Sequence, residues 1–299
     1  MKLIKPSSKR KLKMLPYYFL LPPIIFLAVI VVYPLIFSLK LALFDWNLIN
    51  LREREFVGLG NFLRLITDGS FWNSVRVTFT YAALATSIEF FLGLLLALIA
   101  SQELKGIRFL RTLLLVPMMV APLVVGLMWR YLLNANYGVI NYFIKHFLRI
   151  IPPEWLSHPS WALPTLIFVD VWQWTPFMFI ILLAGIQSLP KYPSEAAQID
   201  GAKGYQILWH ITLPLLRPVI LVALLLRLID SFRVYDLVYS MTRGGPINKT
   251  ETLSWYIYQV GFKFFDFGYA AALSWVMLGI TMVMCSQLFR VISRGTKEQ

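Results

Sequence analysis

LPTLIFVDVWQWTPFMFIILLAGIQSL, Leu163 to Leu189, is apolar along most of its length, and Asp170 is its only ionisable residue. The apolar residues run on continuously rather than alternating, so a half-buried strand does not account for them. About 20 such residues suffice for a helix to cross a bilayer. In lipid a helix satisfies its own backbone N–H and C=O groups, whereas an open strand leaves them bare. The stretch therefore reads as a membrane-spanning helix with Asp170 and Pro176 inside it.

Working outward, five further runs have the same character: Tyr17–Phe44, Val75–Ser101, Leu110–Leu133, Leu215–Leu237 and Tyr269–Ile292. Pro22, Pro23 and Pro34 mark kinks or ends in the first, and Pro117 and Pro122 lie within the third. The expected fold is all-α, a polytopic membrane protein with six transmembrane helices. Composition agrees. Of 299 residues 58% are hydrophobic, the mean hydropathy is +0.67, and charged residues make up 14%. Soluble chains carry about 25% charged residues.

The net charge of +13 invites a nucleic-acid reading. No basic helix, zinc-finger spacing or RNA-binding motif supports it. The cations cluster at the ends and in loops instead, which is how a membrane protein is oriented. Lys2, Lys5, Lys9, Arg10, Lys11 and Lys13 precede the first run. That run is too long for a cleaved signal sequence and no small-x-small site follows it, so it reads as an uncleaved first span. Lys105, Arg108 and Arg111 follow the second run, Lys191, Lys203 and Arg217 the fourth, and Arg294 and Lys297 the last. With six spans these segments share one side, expected to be cytoplasmic. Arg52, Arg54 and Arg149 fall in the outer loops, so the N-terminal cluster carries most of the bias. The expected layout is a basic cytoplasmic tail over 1–16, a transmembrane domain over 17–292 and a cytoplasmic tail over 293–299. Cys285 is the only cysteine, which excludes a disulfide framework and a thiol metal site.

The loop after the fourth span, about 188–214, is polar and helix-prone. Pro193 and Ser194 suit a helix start, Glu195 the positive end of the helix dipole, and Gly201 a helix end. Ala197 and Gly201, four apart, predict a helix face with almost no side chain. A second helical stretch, Tyr205–Ile211, is expected to stop where Pro214 opens the fifth span. On the residues alone two readings stand. One is a connector lying on the membrane surface. The other is a docking helix approached closely by a partner.

Glu195-Ala196-Ala197, three residues, Gly201, nine residues, Ile211, any residue, Leu213-Pro214 resembles the EAA loop of ABC importer permeases at every fixed position. Phe56–Phe62 (FVGLGNF), Asp170–Pro176 (DVWQWTP), Thr242–Pro246 (TRGGP) and Phe265–Ala272 (FDFGYAAA) are similar to the group that includes glycerol-3-phosphate and multiple-sugar importers. The resemblance implies two permeases, expected to be a heterodimer, a cytoplasmic ATPase dimer and an extracytoplasmic solute-binding protein in a bacterial or archaeal cell membrane. It implies that Glu195, Ala196, Ala197, Gly201, Ile211, Leu213 and Pro214 couple to the ATPase. ATP and Mg would then reside on the ATPase and no cofactor on this chain, whose cargo is a sugar or sugar derivative.

Ionisable residues within spans are costly and default to functional candidates. Glu89 lies in the second span; Asp170 lies in the fourth beside Trp172, Gln173, Trp174 and Thr175. Aromatic faces with nearby carboxylates and amides suit sugars, so these six residues are substrate-path candidates. The plainer alternatives are belt or packing roles for Trp172 and Trp174 and an interhelical hydrogen bond for Glu89. Arg227 and Asp230, and Arg233 and Asp236, are three apart, and each pair is expected to neutralise itself on its own helix. No nucleophile motif or metal-ligand helix occurs, and Gly244–Thr250 lacks the full spacing of a phosphate-binding loop. An ion-coupled secondary transporter is the rival function. It requires mid-membrane ion sites and inverted repeats, and the EAA loop argues against it.

Overall fold

The computed structural model describes residues 19–49, 54–102 and 106–297. The N-terminal basic tail, Tyr17, Arg52 and Lys105 lie outside them. The architecture is helical: α1 Phe19–Ala42, α2 Gly60–Thr67, α3 Gly69–Ala100, α4 Ile107–Leu115, α5 Pro122–Leu132, α6 Ala162–Ser188, α7 Tyr192–Ile199, α8 Gly204–Phe232, α9 Leu253–Tyr258 and α10 Phe267–Lys297. Five helices of the described residues are long and apolar enough to span, and a sixth crossing results if one bent pair counts as a single span.

That pair is where the third run departs from a continuous helix. Arg111–Met119 and Pro122–Leu132 meet at 96°. Pro117 opens a 3₁₀ turn and Pro122 starts α5, so each proline begins a segment instead of bending one. The break frees the Val120 carbonyl, and Gln173 Nε2 of α6 donates to it at 2.9 Å. Irregular backbone at membrane depth persists only where such groups are re-satisfied.

Two other prolines do not end their helices. In α1 a wider, π-type stretch, Ala28–Val32, precedes Pro34; in α8 another, Leu208–Thr212, precedes Pro214. A proline has no N–H and its ring crowds the carbonyl four residues back. Placing an i→i+5 turn just before it relieves that crowding, so α8 runs through the expected break from Gly204 to Phe232. At the other end of the chain α10 continues to Lys297, so 293–297, read as a tail, are helix.

Two compact units can be distinguished. The first holds the described residues up to Thr67 with Val260–Val276. Its two-stranded ribbon, β1 Phe44–Asp45 against β2 Glu55–Phe56, pairs Phe44 with Phe56 and Asp45 with Glu55. Asn61 Nδ2 ties the ribbon to α2 by donating to the Ala42 and Phe44 carbonyls, both at 2.9 Å. Gly268 admits the Phe44 carbonyl where a Cβ would collide with it.

The second unit spans Asp68–Gln259 and Met277 onward. Asp68 caps α3, accepting from Ser70 N at 2.9 Å. The packed face of α3 carries Ala82, Ala85, Thr86, Gly93, Ala97 and Ala100, all buried. Small residues let helix backbones approach within the membrane, where lipid is as apolar as leucine. Gly93 shows the effect: a Cβ there would lie 2.6 Å from the Met178 Cβ and 3.0 Å from the Phe179 N of α6.

Candidate functional site

The loop between α6 and α8 forms α7 with Pro193 in its first turn and Glu195 exposed there. Gly201 adopts φ +81°, a left-handed conformation that glycine reaches without a Cβ penalty. Two hydrogen bonds close the helix end, Gly201 N to the Gln198 O at 3.1 Å and Ala202 N to the Ala197 O at 2.9 Å. This is a Schellman cap, in which the residue after the helix reverses the chain. Gly201 therefore sits beyond α7, not on a helical face with Ala197 as the four-residue spacing suggests. The two residues nevertheless line one open cavity of about 450 Å³ together with Ala202, Gln206, Ile207 and Ile211. No atom lies within 4 Å of a Cβ placed on Gly201. Beside it Ile199 is 87% and Tyr192 79% exposed. Ala196 is half-buried in α7; Leu213 and Pro214 follow in α8, Leu213 half-buried and Pro214 exposed.

The spans hold a second polar arrangement. Arg227 of α8 is buried and faces two other helices. Its Nε donates to Glu89 Oε2 of α3 at 2.6 Å and its Nη2 to Glu89 Oε1 at 2.9 Å. The same Nη2 meets Asp170 Oδ2 of α6. Nη1 reaches Asp230 Oδ2 at 3.1 Å, the partner that spacing predicts. Local self-neutralisation is thus a fraction of what Arg227 does: it joins three helices. The Trp174 ring lies 5.3 Å from the guanidinium carbon. Thr86 and Ser231 extend the polar seam at 3.3 Å. Among the described residues Arg233 and Asp236 form no ion pair with each other; both line a cleft of about 80 Å³ with Asp170, Trp174, Arg227 and Asp230.

The six substrate-path candidates are not gathered into one place. Asp170 and Trp174, one helical turn apart, share that cleft. Trp172 packs edge-on against Trp129 at 5.5 Å. Gln173 holds the bend between α4 and α5, and the Thr175 hydroxyl donates to the Val171 carbonyl at 2.6 Å, one turn before the Pro176 ring. Glu89 is wholly engaged with Arg227. Arg227 itself is the residue that sequence reasoning underrated. The available signal was three ionisable residues of mixed sign in three different spans.

Such a molecule, with charges locked between spans and a capped polar helix exposed in the loop, belongs to the class of polytopic helical membrane proteins. The chain is a member of the family described as the binding-protein-dependent transport system inner membrane component, whose model matches residues 89–294. Among similar proteins, the trehalose/maltose transport system permease protein MalF of Thermococcus litoralis is 37% identical over 260 residues, covering 87% of each chain. The sn-glycerol-3-phosphate transport system permease protein UgpA of Agrobacterium fabrum is 31% identical over 282 residues, covering 94% of this chain and 96% of its own. A chain in the crystal structure of a bacterial alginate ABC transporter, in complex with an alginate pentasaccharide-bound periplasmic protein, superposes with a TM-score of 0.84 at 24% identity. It covers 98% of this chain and 99% of that one, and it carries the fold alone.

Proposed function

We propose that this chain is the permease subunit through which an ABC importer passes a sugar or sugar derivative received from an extracytoplasmic solute-binding protein. The carrying observation is the coupling loop, a short helix closed by the Gly201 cap with an open cavity and uncovered Ile199 and Tyr192 beside it. An exposed apolar and small-residue surface on a loop outside the lipid fits a close-docking protein partner. In this reading the partner is a cytoplasmic ATPase dimer that holds ATP and Mg and hydrolyses the ATP, so this chain is not itself an enzyme and binds no cofactor. A second permease subunit completes the pathway, and both termini face the cytoplasm. The sugar class is supported by the relatives named above. Asp170 and Trp174, which share a cleft, are the strongest substrate contacts among the candidates.

Gly201→Trp and Glu195→Lys test the reading. Gly201→Trp places a bulky ring where the partner approaches, and Glu195→Lys reverses a contact charge. Each is expected to lower uptake by about tenfold or more and to weaken recovery of the ATPase with the permease, a loss of roughly 1.4 kcal/mol or more of coupling. Membrane insertion should stay normal because the loop lies outside the lipid. Full uptake and undiminished ATPase recovery in both variants would reduce the loop to a connector.

A further inference from the structure

At the end of α6 away from the coupling loop lies a cavity of about 360 Å³, lined chiefly by Trp129, Leu133, Ile140, Trp155, Trp161 and Phe168. Ligand sites run from about 300 to 1,000 Å³, so the cavity is of binding size. Its rings are held in place. Trp155 and Trp161 meet edge-to-face at 5.7 Å, and Trp129 meets Phe168 edge-to-face at 5.3 Å. Trp155 Nε1 donates to Asn141 Oδ1 at 2.7 Å. Trp129 is nine-tenths buried, so it forms part of a fixed wall, and the lining is almost wholly carbon. A fixed apolar cavity of this size suits a hydrocarbon chain better than a polar solute, whose groups would go unpaired there.

Asn141 also lines a second, more polar cavity of about 390 Å³, with Asn136, Tyr137, Tyr142 and Lys145. The segment that separates α5 from α6 here has an unusual surface. Phe147 is 69% and Ile151 90% exposed, with Tyr142, Phe143, Leu148 and Ile150 exposed as well. Lys145, His146 and Arg149 are interspersed, and no Asp or Glu occurs from 134 to 153. Exposed aromatics and aliphatics mixed with cations are what an interfacial segment presents, apolar groups toward acyl chains and cations toward phosphates.

We propose that these two cavities form a binding site for one anionic phospholipid, with an acyl chain in the tryptophan cavity and the phosphate beside Lys145 and Arg149. The chain supplies carbon to a carbon-lined space. The acid-free cationic segment selects a negative headgroup over a zwitterionic one.

The test uses the assembled transporter in nanodiscs with phosphatidylglycerol or phosphatidylcholine bearing the same photoactivatable acyl chain, and maps labelled peptides by mass spectrometry. Phosphatidylglycerol is expected to label the peptide from Trp155 to Phe168 about fivefold or more above phosphatidylcholine, in line with a cation's worth at a membrane surface, while α1 labels equally with both. Ile140→Trp, which fills the cavity, should remove this labelling and leave that of α1 unchanged. Leu133→Phe, a gentler change to the same lining that fills only part of the cavity, should weaken it. Lys145→Gln with Arg149→Asn should abolish the headgroup preference and keep the chain in place. Equal cavity labelling by both lipids, or labelling indifferent to both Ile140→Trp and Leu133→Phe, would overturn the proposal. Labelling of the lone permease that disappears in the assembled transporter would assign the face to a protein subunit and overturn it too.

Discussion

The loop between α6 and α8 and the Arg227 cluster place polar chemistry in a mostly apolar chain by opposite means. In the loop the important groups are exposed or half-buried, and the backbone is fixed by a cap whose donors and acceptors lie within a few residues. In the cluster every important group but Asp230 is closed, and the partners come from three helices up to 138 residues apart. The loop can therefore lose a contact without losing the fold, whereas the cluster cannot. Function placed on the loop is separable from stability, and function placed on the cluster is not.

Removing Arg227 should break the comparison hardest. Arg227→Met leaves Glu89 and Asp170 buried without their cation, and stripping one partner from a buried ion network costs about 3–5 kcal/mol. The expected outcome is loss of folded protein, read as yield and thermal unfolding of the purified permease. Replacing Glu89, Asp170 and Arg227 together by Gln, Asn and Met should recover much of that stability, because no uncompensated charge remains. A single Arg227→Met variant as stable as the parent would show that the cluster is not what holds α3, α6 and α8 in register.

The next effect belongs to the loop. At φ +81° a Cβ costs roughly 1–2 kcal/mol in the capped conformation, asparagine pays less of that penalty than alanine or valine, and the exposed cap escapes the strain by opening locally while the spans stay packed. Uptake should fall in the order Gly, Asn, Ala, Val at position 201, while the unfolding temperature of the permease stays within error across the series. An unfolding temperature that fell with uptake would mean that the loop is as stability-bound as the spans.

Glu251 tests what a buried carboxyl does without a guanidinium. It lies in the segment between α8 and α9, is buried, and its Oε2 has no hydrogen-bond partner among the described residues. Burial, and then the nearby Asp68, raise its pKa to about 7. Because the folded state holds this proton more tightly than the unfolded state does, the stabilisation is complete below about pH 4.5 and is lost as pH rises through about 7. Glu251→Gln should raise the unfolding temperature by a few degrees at about pH 8, on the order of 1 kcal/mol, and should change it little near pH 5. An equal gain at both values would place the effect in packing, not in protonation.

How much could be read without coordinates follows the same division. The spans were legible because lipid forces continuous apolar runs, and the loop was legible because its signals are local: a proline, a first-turn acid and a glycine where the chain turns. Pro214 misled, because whether a proline ends a helix depends on the turn before it, and at Pro34, read as a kink or an end, the helix runs on. Their π-type stretches, Ala28–Val32 and Leu208–Thr212, have no marker in residue type. The 96° bend failed for the same reason, since Pro117 and Pro122 announce a disturbance without its angle. Arg227 was paired with Asp230 because spacing reports neighbours on one helix only. Its contacts to Glu89 and Asp170 arise from packing that no single run encodes.

The smallest expected effect makes the sharpest use of that last point. Arg227 bonds three carboxylates, and Asp230, the one that spacing finds, is 57% exposed at its side chain whereas Glu89 is fully buried. An exposed ion pair contributes at most about 1 kcal/mol, because water already solvates the acid and salt screens the attraction. Asp230→Asn should therefore shift the unfolding temperature by no more than a degree or two, and raising ionic strength should erase even that. Glu89→Gln, which changes one atom of a buried acid bonded to the same guanidinium, should cost several times more and should be indifferent to salt. If the two variants proved equal, burial would not be ranking these contacts, and the contrast between an open loop and a closed cluster would lose its physical basis.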